Sequence, residues 1–155
     1  MSQIASIVYK PQGMEVPAHQ FLRVELDEAR LVAGYGIEGD LKGGHPDRQL
    51  NIMSYETLTN MRAQGFRTEP GQMGEQIVLH RLDVNSLAPG TRLAVGSSAV
   101  IEVVKARTGC EHFSQIQGKP ASLAAGQMGV MARVIAGGLI RAGDPVQVLK
   151  TEQHV

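Results

Sequence analysis

The chain has a single cysteine, Cys110, so no internal disulfide can form and nothing points to an oxidising compartment. It lacks an excess of either charge: Lys plus Arg and Asp plus Glu both number 15. That balance argues against a global electrostatic grip on nucleic acid, which needs a basic surface, though it leaves room for a local basic pocket. No apolar stretch approaches the roughly 20 residues that span a bilayer. The N-terminal Met-Ser-Gln-Ile-Ala-Ser has no cationic run followed by an apolar core of signal length. A cytoplasmic protein without a membrane or nucleic-acid partner is the expectation.

Several chemistries lack their motifs. Zinc held structurally wants four ligands, and there is no second cysteine. His19, His45, His80 and His154 are scattered without metal-ligand spacing. There is no Gly-x-Ser-x-Gly nucleophile elbow, no Walker loop, and no flavin, haem or iron–sulfur motif.

What is present is glycine, 18 in 155 residues, separating many short apolar runs, with no tryptophan. That pattern favours an all-β to β-rich domain, and the length suits one domain over residues 1–155. Strands are expected at Ile4–Val8, Phe21–Leu26, Ala29–Val32, Arg48–Met53, Ile77–Leu79, Thr91–Val95, the run from Ala99, Val130–Ala136, Leu139–Ile140 and Val146–Leu149. One helix is expected over Ser54–Gln64, with Ser54 as N-cap and Gly65 as its stop. Gly137-Gly138 between two apolar runs signals a hairpin. Pro145 must begin its strand or lie on an edge.

Three loops carry candidate chemistry. Gly34–His45 has five glycines in twelve positions and offers Asp40 and Lys42, with Arg48 just beyond. Such a loop holds phosphates through amides and cations, or is simply a solvated β-loop. Gly71-Gln-Met-Gly-Glu75 either positions Glu75 beside a ligand or is a tight turn in which Glu75 caps backbone donors. Lys105-Ala-Arg107-Thr-Gly-Cys110-Glu-His112 places a thiol after two cations, which lower a thiol's pKa. The ordinary alternative is an inert, apolar cysteine. A thiolate there would ligate a thiophilic metal or carry sulfur.

In this order the loops resemble the MOSC family, named for the C-terminal domain of molybdenum-cofactor sulfurase. The resemblance runs from about Ala33 to Val148. Gly36-Ile-Glu-Gly39-Asp40 matches the family's Gly-x-x-Gly-Asp, and Arg48 its downstream arginine. Gly74-Glu75 matches Gly-Glu-Asn in part, with Gln76 in place of asparagine; Lys42 stands where the family commonly has histidine. Leu87-Ala-Pro-Gly90 and Val95-Gly96 follow, then Arg107 and Cys110. Gly129, Arg133-Val134, Gly137-Gly138 and Gly143-Asp144 close the signature.

The resemblance implies a barrel-like β fold with one or more short helices. It implies work with the molybdenum cofactor (molybdopterin) or sulfur transfer, with Cys110 as persulfide carrier or molybdenum ligand. Lys42, Arg48, Lys105, Arg107 and Arg133 become candidates for the pterin's phosphate. Asp40 and Glu75 would order those cations or bond the pterin. Some relatives join this domain to a pyridoxal-phosphate desulfurase. This chain has no room for one, so no pyridoxal phosphate site of its own is expected and a separate cysteine desulfurase would supply sulfur. Reduction of N-hydroxylated compounds, with electrons from a partner protein or molybdenum enzyme, is an alternative; a non-catalytic binding module is another.

Overall fold

A computed structural model describes residues 1–11, 23–108 and 116–149. Eleven strands are found among them: β1 Gln3–Tyr9, β2 Val24–Leu26, β3 Glu28–Val32, β4 Gly36–Ile37, β5 Leu50–Ser54, β6 Ile77–His80, β7 Arg92–Val95, β8 Ala99–Ala106, β9 Val130–Ala136, β10 Gly138–Arg141 and β11 Val146–Val148. One helix, α1, spans Tyr55–Ala63, and short 3-10 turns occupy Val84–Ser86 and Ala121–Ala124. The expected strands are present in this order, except that Phe21, Leu22 and Cys110 lie outside the described residues.

Eight strands form one sheet in the order β11-β7-β8-β9-β5-β6-β1-β2. The sheet curls until its ends approach. Gln3 bridges Pro145, the Ile4 amide donates to the Asp144 carbonyl (2.9 Å), and the Gly143 amide donates to the Ile4 carbonyl (2.8 Å). Pro145 thus precedes an edge strand, where its missing N–H costs no ladder bond. The second sheet is small, ordered β10-β3-β4.

Period-2 alternation sets the barrel interior. Ala99, Ile101 and Val103 of β8 point in, as do Val130, Ala132 and Val134 of β9. β5 and β6 are parallel neighbours joined through α1, and both faces of this pair are buried. Ile52 and Ile77 face the barrel core, while Met53 and Val78 face Leu58 and Met61 of α1. A helix crossover over a parallel pair produces this double burial.

Two local expectations change. Ser54 precedes α1 in extended conformation but does not cap it through its side chain. Its hydroxyl instead donates to the Leu82 carbonyl (2.5 Å) and accepts the Val84 amide (2.8 Å), pinning the chain beyond β6. Gly137-Gly138 is not a hairpin: β9 belongs to the large sheet, and β10 pairs antiparallel with β3. The glycines are there for close approach. A Cβ on Gly137 would lie 2.6 Å from the Leu31 carbonyl oxygen, and one on Gly138 would collide with the Ser98 hydroxyl.

Candidate functional site

The loop after β4 is organised around Asp40, which is wholly buried. Its Oδ1 accepts the amides of Lys10 (3.1 Å) and Lys42 (3.3 Å), and its Oδ2 accepts Gln76 Nε2 (2.5 Å). The Tyr35 hydroxyl donates to the Asp40 carbonyl (2.6 Å). Bonds to a carboxylate are strong ones, so three of them make Asp40 the anchor joining this loop to β1 and the sheet.

Gln76 is the buried hub of that anchor. Its Oε1 accepts the Asn51 amide (2.6 Å), and its Nε2 also reaches the Gln49 carbonyl (3.3 Å). Asn51 Nδ2 donates to the Gly74 carbonyl (3.0 Å), and Gln49 Oε1 accepts the Val134 amide (2.8 Å). The amide at position 76 therefore spans from β6 to β5 and Asp40.

The second loop closes on Glu75. Its Oε2 accepts the Gly71 amide (2.7 Å) and its Oε1 the Met73 amide (3.1 Å), while the Gly74 amide donates to the Gly71 carbonyl (2.8 Å). Burial raises the Glu75 carboxyl above its ordinary value; the amides and the Arg23 charge pull it down without cancelling that. Gln117, from beyond residue 115, clasps the same loop: it accepts the Arg67 amide (2.6 Å) and donates to the carbonyls of Arg67 (2.8 Å) and Gln72 (3.0 Å).

Two arginines rest on this turn. A Cβ on Gly71 would meet the Arg23 side chain at 2.8 Å, and one on Gly74 would fall on the Arg107 guanidinium. Burial lowers the Arg23 pKa, opposed by the fields of Asp40 and then Glu75. Arg107 is aimed by β8, whose register with β9 shifts between Val103 and Lys105; its amide donates to the Gly129 carbonyl (3.0 Å) and its Nη1 lies 3.9 Å from Met53 Sδ.

Asp40, Glu75 and Arg107 are thus brought into one connected assembly, with Gln76, Arg23 and Gln117 as members that sequence reasoning did not single out as site residues. Lys42 and Arg48 are exposed on the outer part of the first loop, and Lys105 is exposed near the end of β8. Arg133 projects from the outside of β9 to Glu102 (3.3 Å), which also pairs with Arg92 (3.4 Å). It sits four residues beyond Gly129, about 13 Å along the strand. Cys110 and His112 lie outside the described residues. Among the described residues, no group of three or more His, Cys, Asp or Glu side chains is placed to hold a metal ion, and no helix is long and apolar enough to cross a membrane.

A family model of the MOSC domain matches residues 40–147, from Asp40 of the first loop through the Glu75 loop and Arg107. The chain belongs to the MOSC family. The fold is similar to that of the YuaD protein from Bacillus subtilis, at 22% identity over 96% of each chain with a TM-score of 0.77. It is also similar to YiiM from Geobacillus stearothermophilus, at 20% identity, 97% of this chain, 76% of that one and a TM-score of 0.75. YiiM from Escherichia coli matches at 22% identity, covering 97% and 72%, with a TM-score of 0.69. No curated protein matches the chain. At these identities the structural neighbours establish the MOSC fold.

Glu75 carries a pH prediction. Because its folded-state value is raised, its contribution to stability is fully present below the ordinary glutamate range and is lost as pH rises through the raised value. Urea midpoints measured across that range should fall with rising pH. In Glu75→Gln that part of the pH dependence should vanish. One loop amide would also lose its acceptor, lowering stability by about 1–3 kcal/mol.

Proposed function

We propose that this MOSC protein binds the molybdenum cofactor, with Cys110 as its sulfur contact to the metal or as a carrier of the sulfur delivered to it. Family membership over a match that contains Cys110 is the observation that carries the reading. The assembly adds support: Arg107, three residues before Cys110, is seated by Gly74 on a loop fixed through Glu75.

The described residues suit the anionic part of such a cofactor. Arg107 and Lys105 would face it near the thiol, with Lys42 and Arg48 on the loop anchored by Asp40. Arginine takes phosphate through two parallel N–H donors. Asp40 and Glu75 act on the ligand through the loops they hold, since their carboxylate oxygens already accept backbone and side-chain donors. The metal contact falls to Cys110, a soft donor suited to molybdenum. When bound, the cofactor supplies the redox-active metal. Arg133, engaged with Glu102, is a peripheral contact in this reading.

In the carriage version a cysteine desulfurase is the partner. The Cys110 thiolate attacks the outer sulfur of the desulfurase persulfide, the sulfur–sulfur bond breaks, and the desulfurase thiolate leaves. Mass spectrometry after incubation with a desulfurase and free cysteine should find one added sulfur atom on Cys110, removable by reductant. An unmodified Cys110 would end the carriage version and leave metal ligation to be tested by cofactor content.

A further inference from the structure

Each arginine on a strand is matched by a carboxylate. Arg30 pairs with Glu38 (3.9 Å), Arg141 with Glu28 (3.0 Å), and Arg92 and Arg133 share Glu102. The C-terminal end of α1 is different. Arg62, Arg67 and Lys119 gather there, and among the described residues none of them meets a carboxylate. Arg62 Nε donates to the Thr68 hydroxyl (2.8 Å) and Arg67 Nη1 to the Ile116 carbonyl (2.8 Å). The Lys119 ammonium lies 5.5 Å from the centre of the Phe66 ring. Neutral partners thus fix the three cations in place without a counter-charge in contact. Across residues 57–74 and 116–129 the sole acid is Glu69.

The same end of the molecule carries an apolar knob. Leu123, on the 3-10 turn Ala121–Ala124, is 56% exposed. A lone exposed leucine is ordinary, but this one is held stiffly. Its amide donates to the Pro120 carbonyl (3.1 Å), and the next residue, Ala124, is wholly buried in one core cluster with Phe66. Gln127, just beyond, accepts Gln64 Nε2 (3.3 Å) and ties the stretch to the end of α1. A fixed apolar side chain near unmatched cations has the make-up of a docking surface. Apolar contact supplies the anchor, and charge steers the approach. Such a surface fits a protein that presents carboxylates around an apolar recess; three cations are too few for a nucleic-acid grip. Cys110 is seven positions before Gln117, which keeps the two within about 25 Å.

We propose that Leu123, Arg62, Arg67 and Lys119 form the docking surface for the protein that hands sulfur to Cys110, a cysteine desulfurase with an acidic contact face. The inference rests on the carriage version of the proposed function and adds the surface through which the partner is recognised.

Biolayer interferometry of the full chain against a cysteine desulfurase, at low and at physiological salt, tests it. Rising salt should slow association. Arg62→Gln combined with Lys119→Gln should slow association about fivefold and flatten the salt dependence. Leu123→Ser should weaken binding about tenfold, chiefly through faster dissociation. Cys110→Ser should bind like wild type. Binding that ignores both sets of changes, or no binding at all, would overturn the proposal. Wild-type binding to anionic phospholipid vesicles in place of the desulfurase would assign the patch to a membrane and overturn it too. Docking that follows the expected pattern while Cys110 stays unmodified would end the carriage version and leave the surface standing. Persulfide formation at the full rate in Leu123→Ser would do the reverse.

Discussion

Gly129→Ala should be among the most destabilising single changes in the protein, costing about 3–5 kcal/mol. Gly129 has φ of +76°, where a non-glycine residue is strained. A Cβ there would also drive into the Ile52 carbonyl oxygen, a backbone atom held in β5 and unable to swing aside. Gly129 further joins two parts of the chain, donating to Asn85 Oδ1 (2.9 Å) and accepting the Arg107 amide. The loss should therefore reach the site as well as the fold. For a chain of this size the thermal midpoint should drop by roughly 10 °C. A melt within a few degrees of wild type would show that β5 and β9 can separate at small cost.

Asp40→Ala should cost about 3–5 kcal/mol as well, for a different reason. It removes the acceptor of three donors, the amides of Lys10 and Lys42 and Gln76 Nε2, in a place water does not reach. Each unsatisfied buried donor costs about 1–3 kcal/mol, and Lys42 can recover part of its share by turning to solvent. Asp40→Asn keeps a single oxygen, which can still accept the Lys10 and Lys42 amides while its NH2 faces Gln76 Nε2, so it should fall between wild type and alanine. Denaturant unfolding of the three proteins gives the order directly. If Asp40→Ala unfolded at the wild-type midpoint, Asp40 would not be the anchor of its loop.

Most strands could be read from the chain because their alternation is local. Ile101 and Val103 announce an inward face whatever they pair with. The helix was equally legible from Leu58, Met61 and the stop at Gly65. Gly137-Gly138 was misread because a glycine pair looks the same whether it turns a hairpin or lets a strand end pass under Leu31 and Ser98. The parallel β5–β6 pair was not legible, since Met53 and Val78 acquire their second buried face only from α1. The same limit governs the site. Asp40, Glu75 and Arg107 stood out through glycine-rich motifs. Arg23 has no motif, and its place follows from the bare Cα of Gly71, 48 positions on by number. Gln76 drew notice only as a departure from the family's asparagine, yet its extra methylene serves a reach that runs from Asn51 to Asp40. Arg133 drew notice through its motif, while its partner Glu102 comes from strand pairing.

The central claim, that this chain binds the molybdenum cofactor through Cys110, is tested most directly by molybdenum and pterin content. Wild type and Cys110→Ser would be purified side by side from cells with an active cofactor pathway, and bound metal and pterin measured per chain. The account predicts both in wild type, with molybdenum strongly depleted in Cys110→Ser. Molybdenum and pterin at equal levels in the two proteins, or absent from both, would contradict it.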